Sequence, residues 1–213
     1  MDKNIKFVVD ARIERTMENL EDNNISAYRV EDEKAALEKI KELIPQGGTV
    51  GIGGSMTLFE IGAIDFLRQG DYQLLDRYRE GITPSEMREV FRQGFLADAL
   101  VTSANAITED GEIYSVDGTG NRVAAMLYGP DKVIIVVGVN KLVLDIDQAI
   151  LRVEENAAPA NNKRLNLDNP CTEAGYCMDC QEDTRICNLY TLIRRQADKD
   201  RMHVIIVNKD LGY

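Results

Sequence analysis

The sequence predicts an α/β protein built on a mainly parallel sheet flanked by helices. Short apolar runs alternate with segments of helical period along most of the 213 residues, the pattern of strands joined by helical crossovers. Within Lys132 to Val139, the run Val133-Ile134-Ile135-Val136-Val137 is unbroken, and a strand apolar on both faces belongs in the middle of a covered sheet. A hydrophobic content of 44% suits one sizeable core. Residues 1–213 are therefore read as a single domain, with an N-terminal helical segment over about 1–45.

Taken in order, Ile5, Val8, Val9, Ile13, Met17 and Leu20 recur at helical spacing, and Ile25 to Val30 alternates as a short strand. Glu33 to Ile44 returns to helical period and stops at Pro45 and Gly47-Gly48. Thr49 to Ile52 is a strand that runs into a glycine loop, Leu58 to Leu67 a helix, and Gln73 to Asp76 a weaker strand. Thr83-Pro84 starts a helix reaching about Ala97, with Thr as cap and Pro in the first turn. Ala99 to Thr102 and Glu112 to Val116 read as strands, and Asn121 to Leu127 as a short helix. After the buried strand, Asp145 to Ala157 is helical and interrupted near Pro159. Leu189 to Asp198 is read as a helix and His203 to Val207 as the last strand.

A formal net charge of −11, with no basic cluster, argues against nucleic-acid binding. No run reaches the roughly 18 apolar residues of a membrane span, and the first ten residues lack the layout of a signal peptide. The expected location is the cytoplasm. A small anionic ligand must then be held by local dipoles and a few cations.

Such a ligand is expected at Gly51-Ile52-Gly53-Gly54-Ser55-Met56-Thr57, where a strand passes into a helix. Glycines permit a tight turn and close approach, backbone N–H groups can meet a carboxylate or phosphate, and Ser55 and Thr57 add hydroxyls. The spacing matches neither the P-loop nor the dinucleotide fingerprint. The plainer reading is a strand-to-helix turn capped by Ser55 or Thr57. Three further polar tips follow strands: Thr102 to Ala106 with Ser103 and Asn105, then Asp117-Gly118-Thr119-Gly120-Asn121-Arg122, then Gly138-Val139-Asn140-Lys141. In an open sheet such tips gather at the carboxyl edge. In an enzyme, Arg122 and Lys141 would clamp an anion while Asp117 acts as general base. Equally, Asp117 and Arg122 could form a purely structural pair. His203, the single histidine, lies in an apolar strand and reads mainly as a core residue.

All four cysteines fall in one stretch, Cys171, Cys177, Cys180 and Cys187, spaced C-x5-C-x2-C-x6-C. Thiolates in a reducing compartment point to metal or redox chemistry rather than a disulfide framework. One compact run suits a [4Fe–4S] cluster, with zinc the alternative and a redox disulfide or free thiols behind both. The segment, about 169–188, precedes the last elements and reads as an insertion.

From Gly51 to about Leu165 the chain resembles the LUD domain, the lactate-utilisation family. Gly53 to Thr57, Ala99 to Thr108, Gly118-x-Gly120-Asn121-Arg122, Gly138 to Lys141 and Asp147 to Arg164 carry the resemblance in consistent order. It implies a fold similar to the sugar-phosphate isomerase, glucosamine-phosphate deaminase and CoA-transferase group. It also implies a role near the oxidation of lactate or use of related small acids, with protein partners in a lactate-oxidation complex. The Ser-Glu-Asn-Gly motif of a CoA-transferase is missing. Alternatives are a non-redox isomerase- or hydrolase-like enzyme on a phosphorylated metabolite, and a non-catalytic metal-binding accessory subunit.

Overall fold

A computed structural model describes residues 2–213. Its main sheet is six-stranded and wholly parallel: β1 (Ser26–Val30), β2 (Thr49–Ile52), β3 (Gln73–Leu75), β4 (Ala99–Thr102), β7 (Lys132–Gly138) and β10 (Met202–Val207), in the order β1-β10-β7-β4-β2-β3. The predicted α/β class and its central strand are both found. Side chains of β7 alternate between two cores: Val133, Ile135 and Val137 join one, Ile134 and Val136 the other. Residues of β10 do the same, with Met202, Val204 and Ile206 facing one way and Ile205 and Val207 the other.

The first core is covered by α1 (Lys3–Asp22) and α6 (Asn121–Leu127), which contribute Ile13, Leu20, Val123 and Met126. The second is covered by α2 (Glu33–Leu43), α3 (Met56–Glu60) and α4 (Ala63–Gln69), through Ile40, Leu58, Ile64 and Leu67. Helix starts follow the sequence signals. Asp32 accepts from Ala35 N at 2.8 Å, and Thr83 forms a reciprocal capping box with Glu86 at the head of α5 (Pro84–Gly94).

A second sheet was not legible in the sequence. It pairs β8 (Leu142–Val143), β5 (Ala106–Thr108), β6 (Ile113–Asp117) and β9 (Leu189–Ile193) in that order. β5 and β8 run parallel, with Ile107 opposite Leu142, whereas β6 is antiparallel to both β5 and β9. The helix expected over Leu189 to Asp198 is therefore wrong. Leu189-Tyr190-Thr191-Leu192-Ile193 is an edge strand on β6, and its β-branched and aromatic content was the better signal.

Two other boundaries need correction. The helix expected over Leu58 to Leu67 is two helices, broken at Gly62, whose φ is +72°. The helix before Pro159 is not interrupted. α7 (Ile146–Arg152) continues through a π-helical turn at Val153–Ala157 into α8 (Ala158–Arg164), with Pro159 in the first turn of α8. A wider turn just before the proline absorbs its missing N–H and ring. Among the described residues no helix is long and apolar enough to cross a membrane.

Gly53 extends β2 along β4, its N–H donating to Val101 O at 2.9 Å. A Cβ there would lie 2.7 Å from Cβ of Thr102, which is fully buried and cannot swing aside. Gly53→Ala should cost about 1–3 kcal/mol from overpacking, measured as a lower urea midpoint at unchanged slope.

Candidate functional site

After β2 the chain passes to the α3 and α4 face, whereas the path from β4 leads by way of the second sheet to α6 on the opposite face. That divergence opens a crevice at the carboxyl ends of β2 and β4, the usual ligand position in an open α/β sheet. A cavity of about 300 Å³ lies there. All four polar tips reach it: Gly54 and Ser55, Ser103 and Asn105, Asp117 to Gly118 with Asn121 and Arg122, and Lys141.

Lys141 ends the 3₁₀ turn Val139–Lys141 that joins β7 to β8, and only 2% of it is exposed. Its Nζ donates to Thr57 Oγ1 at 2.9 Å, Ser103 Oγ at 3.1 Å and the Ala104 carbonyl at 3.3 Å. No carboxylate lies within ion-pair distance of it among the described residues. Burial, then Arg152 and Arg122, pull its pKa down to about 7, against a smaller opposing pull from Glu60.

Asp117 and Arg122 form a closed pair. Arg122 Nε donates to Asp117 Oδ1 at 2.9 Å, and the other carboxylate oxygen accepts from the backbone of Arg122 and Val123 at 3.1 and 3.2 Å. The remaining guanidinium donors go to Ser103 O, Asn105 Oδ1 and Val116 O. Asp117 thus neutralises and orients Arg122, and Arg122 ties the Ser103, Asn105 and Asp117 tips together.

Three cavity-lining groups escaped the sequence reading. Arg77 lies over the rings of Phe91 and Tyr78, 4.6 and 5.3 Å from their centroids, and packs on Gly54, where a Cβ would sit 3.2 Å from Nη1. It pairs with no carboxylate among the described residues, and its buried Nε has no partner. Burial lowers its pKa. Arg164 and Tyr213 close the other side, and the Tyr213 hydroxyl, like Ser55 Oγ, is buried without a partner. Single arginines among 25 basic residues carry no motif; only the fold selects them.

The other expected ligand residues, Gly53, Thr57, Gly120 and Asn140, do not line this cavity directly. Gly53 packs on Thr102, Thr57 Oγ1 donates to Leu211 O at 3.2 Å while receiving Lys141, and Gly120 takes φ +83° at the head of α6. Asn140 clamps the C-terminal segment, donating to Gly212 O at 3.1 Å and accepting from Leu211 N at 3.0 Å. His203 sits at the other end of the sheet, stacked on Tyr28 and bonded to Asp200 O at 2.9 Å.

The cysteine segment forms one wall. Gly118 packs on Ile186, with a Cβ position 3.4 Å from its Cα, and Asn188 N donates to Asp117 O at 3.0 Å. Behind that wall all four cysteines line a second cavity of about 20 Å³. Arg185 binds the region together, donating to the carbonyls of Cys180 and Cys187 and to Asp179. Burial pushes the Cys187 thiol up to about 11 and the Cys171 thiol upward as well, with the neighbouring thiols adding to both. Among the described residues no three His, Cys, Asp or Glu side chains are gathered so as to hold a metal ion as they stand.

The LUD domain model matches residues 13–207, nearly the whole chain. The chain belongs to the LUD-domain family. A solved DUF162 family protein from Deinococcus radiodurans shares the fold, with a TM-score of 0.52 at 14% identity over 93% of this chain and 98% of that one. No curated protein matches the sequence.

In this LUD domain the unpaired Lys141 sets a pH signature. Between about pH 7 and the ordinary lysine value of 10.5, the unfolded chain holds a proton that the folded protein has released. Stability contributed by this group therefore rises with pH across that window, by at most about 1.4 kcal/mol per unit. Urea titrations from pH 6 to 10 should show the rise in the wild type and its loss in Lys141→Met.

Proposed function

We propose that this LUD domain binds a small anionic metabolite, a carboxylate or phosphorylated compound, at the carboxyl ends of β2 and β4 and acts on it through Lys141. One observation carries the reading. In a chain of net charge −11, Lys141 and Arg77 line one cavity without a carboxylate partner, beside the unpartnered hydroxyls of Ser55 and Tyr213. A buried polar group without a partner costs about 1–3 kcal/mol, and an anion would satisfy these groups together. In this reading Asp117 is a positioning residue, since Arg122 and two backbone N–H groups occupy it. Membership of the LUD family supports lactate or a related small organic acid as the compound class.

Calorimetric titration with pyruvate, lactate and inorganic phosphate tests this. At least one should bind with one-to-one stoichiometry, and Arg77→Ala should weaken it tenfold or more, about 1.4 kcal/mol. Absence of saturable binding for all three in the wild type would sink the reading.

We further propose that Cys171, Cys177, Cys180 and Cys187 hold a thiophilic metal, an iron–sulfur cluster or zinc. Four cysteines line one cavity, and a soft cation that drew off their protons would gain four thiolate donors there. About 20 Å³ suits a single ion, and a cluster would need the exposed Tyr176 to Arg185 loop to move. A cluster would supply electron transfer beside the cavity and zinc a structural tie. Metal and acid-labile sulfide analysis of anaerobically purified protein separates them: iron with sulfide means a cluster, zinc alone a structural ion, and neither removes the metal. A non-redox isomerase- or hydrolase-like enzyme on a phosphorylated metabolite is the second reading. It draws support from Lys141, whose hydroxyl neighbours provide proton transfer without any metal.

A further inference from the structure

We infer that Lys141 forms an imine with its ligand, a small carbonyl compound whose anionic group is held by the arginines of the same cavity. The inference rests on the anion-pocket reading and adds the reacting group of the substrate. Lys141 is the single buried lysine among the described residues, and it lines the cavity rather than a packed core. A lysine kept for structure is normally paired with a carboxylate when buried, because an isolated ammonium is expensive to desolvate. Here its partners are two hydroxyls and a carbonyl.

Each hydroxyl has a second acceptor, Leu211 O at 3.2 Å for Thr57 and Ala104 O at 3.3 Å for Ser103. Either can therefore accept from an ammonium, or turn and donate to a free amine. The charged groups acting on Nζ are Arg152 and Arg122, which oppose protonation, and Glu60, which favours it and is itself bonded to Gly212 N at 2.7 Å. With a value near 7, a large share of the side chain is free amine at neutral pH, the nucleophilic form that Schiff-base lysines require.

The step balances without a redox partner. The Nζ lone pair attacks the carbonyl carbon, and the carbonyl oxygen takes a proton to give a carbinolamine. Nitrogen loses its protons through the Thr57 and Ser103 hydroxyls as the carbinolamine oxygen leaves as water, giving C=N. The overall change is amine plus carbonyl to imine plus water. A carboxylate or phosphate on the carbonyl compound would meet Arg77 and Arg164 across the cavity.

The test is reductive trapping. Full-length protein is incubated with pyruvate, or in a parallel arm with dihydroxyacetone phosphate, together with cyanoborohydride, and examined by intact mass and tryptic mapping. The inference expects one adduct per chain in at least one arm, on the peptide spanning Lys141, with trypsin cleavage after Lys141 blocked. The arm that labels identifies a carboxylate or a phosphorylated ligand. Labelling should rise through about pH 7 and should be absent in Lys141→Arg. Mapping on the wild type keeps the test decisive should that variant fail to fold. An adduct confined to exposed lysines, or none in either arm, overturns the inference. Saturable binding of the same compounds without reductant distinguishes the two failures: binding without adduct removes the imine alone, and absence of both removes the pocket as well.

Discussion

Two neighbouring strands of the main sheet leave it at the same level and meet again as neighbours in the second. β4 and β7 pair in parallel, and their continuations β5 and β8 do so as well, with Ile107 opposite Leu142 and Thr108 opposite Val143. The short links between them, Ser103–Asn105 and Val139–Lys141, are thereby trapped between two sheets. Loops at a sheet's carboxyl edge are normally exposed. Here Lys141 and Ser103 are almost completely buried, and the geometry of the site follows from that enclosure. Arg152 strengthens the joint from beneath, donating to Asn140 O at 2.9 Å and Asn105 O at 2.8 Å.

Enclosure decides the electrostatics. An acidic protein repels anions at long range, but within a Debye length of roughly 8 Å in physiological salt the local charges dominate. The acids nearest the cavity are already occupied, Asp117 by Arg122 and Glu60 by the C-terminal backbone. Arg77 remains without a carboxylate partner among the described residues, in a setting where water is partly excluded and each interaction is stronger. Any positive potential in the cavity is therefore confined to short range.

Much of the main sheet was legible because its strands carry strong local signals. Val133 to Val137 is apolar on both faces, and the Thr83-Pro84 cap and the glycine loop each announce a boundary. The four tips were also legible, since polar residues after apolar strands mark the carboxyl edge. The second sheet was not. β5 and β8 are three and two residues long, too short to show a period, and Leu189 to Ile193 has a spacing compatible with either helix or strand. Missing that sheet hid the burial of Lys141. Arg77 and Tyr213 were invisible for another reason, because their role depends on distant packing, on Phe91 and at the end of the chain. The pairing of Asp117 with Arg122 was open in the sequence, and the structure forms that pair at 2.9 Å.

The cysteine segment and the cavity at the carboxyl ends of β2 and β4 share a wall. Ala158, Ile186 and Cys187 border both spaces. Gly118 lies against Ile186, and Asn188 holds both the Asp117 and Gly118 carbonyls at 3.0 and 3.1 Å. Asp117 in turn orients Arg122, whose contacts fix Ser103, a partner of Lys141. A chain of direct contacts thus links the cysteine segment to the surroundings of Lys141. Close backbone packing at Gly118 is what makes the chain short. A Cβ added at Gly118 would meet Ile186 at 3.4 to 3.6 Å, ordinary van der Waals contact, so the wall that carries Cys187 is close-packed there without being strained.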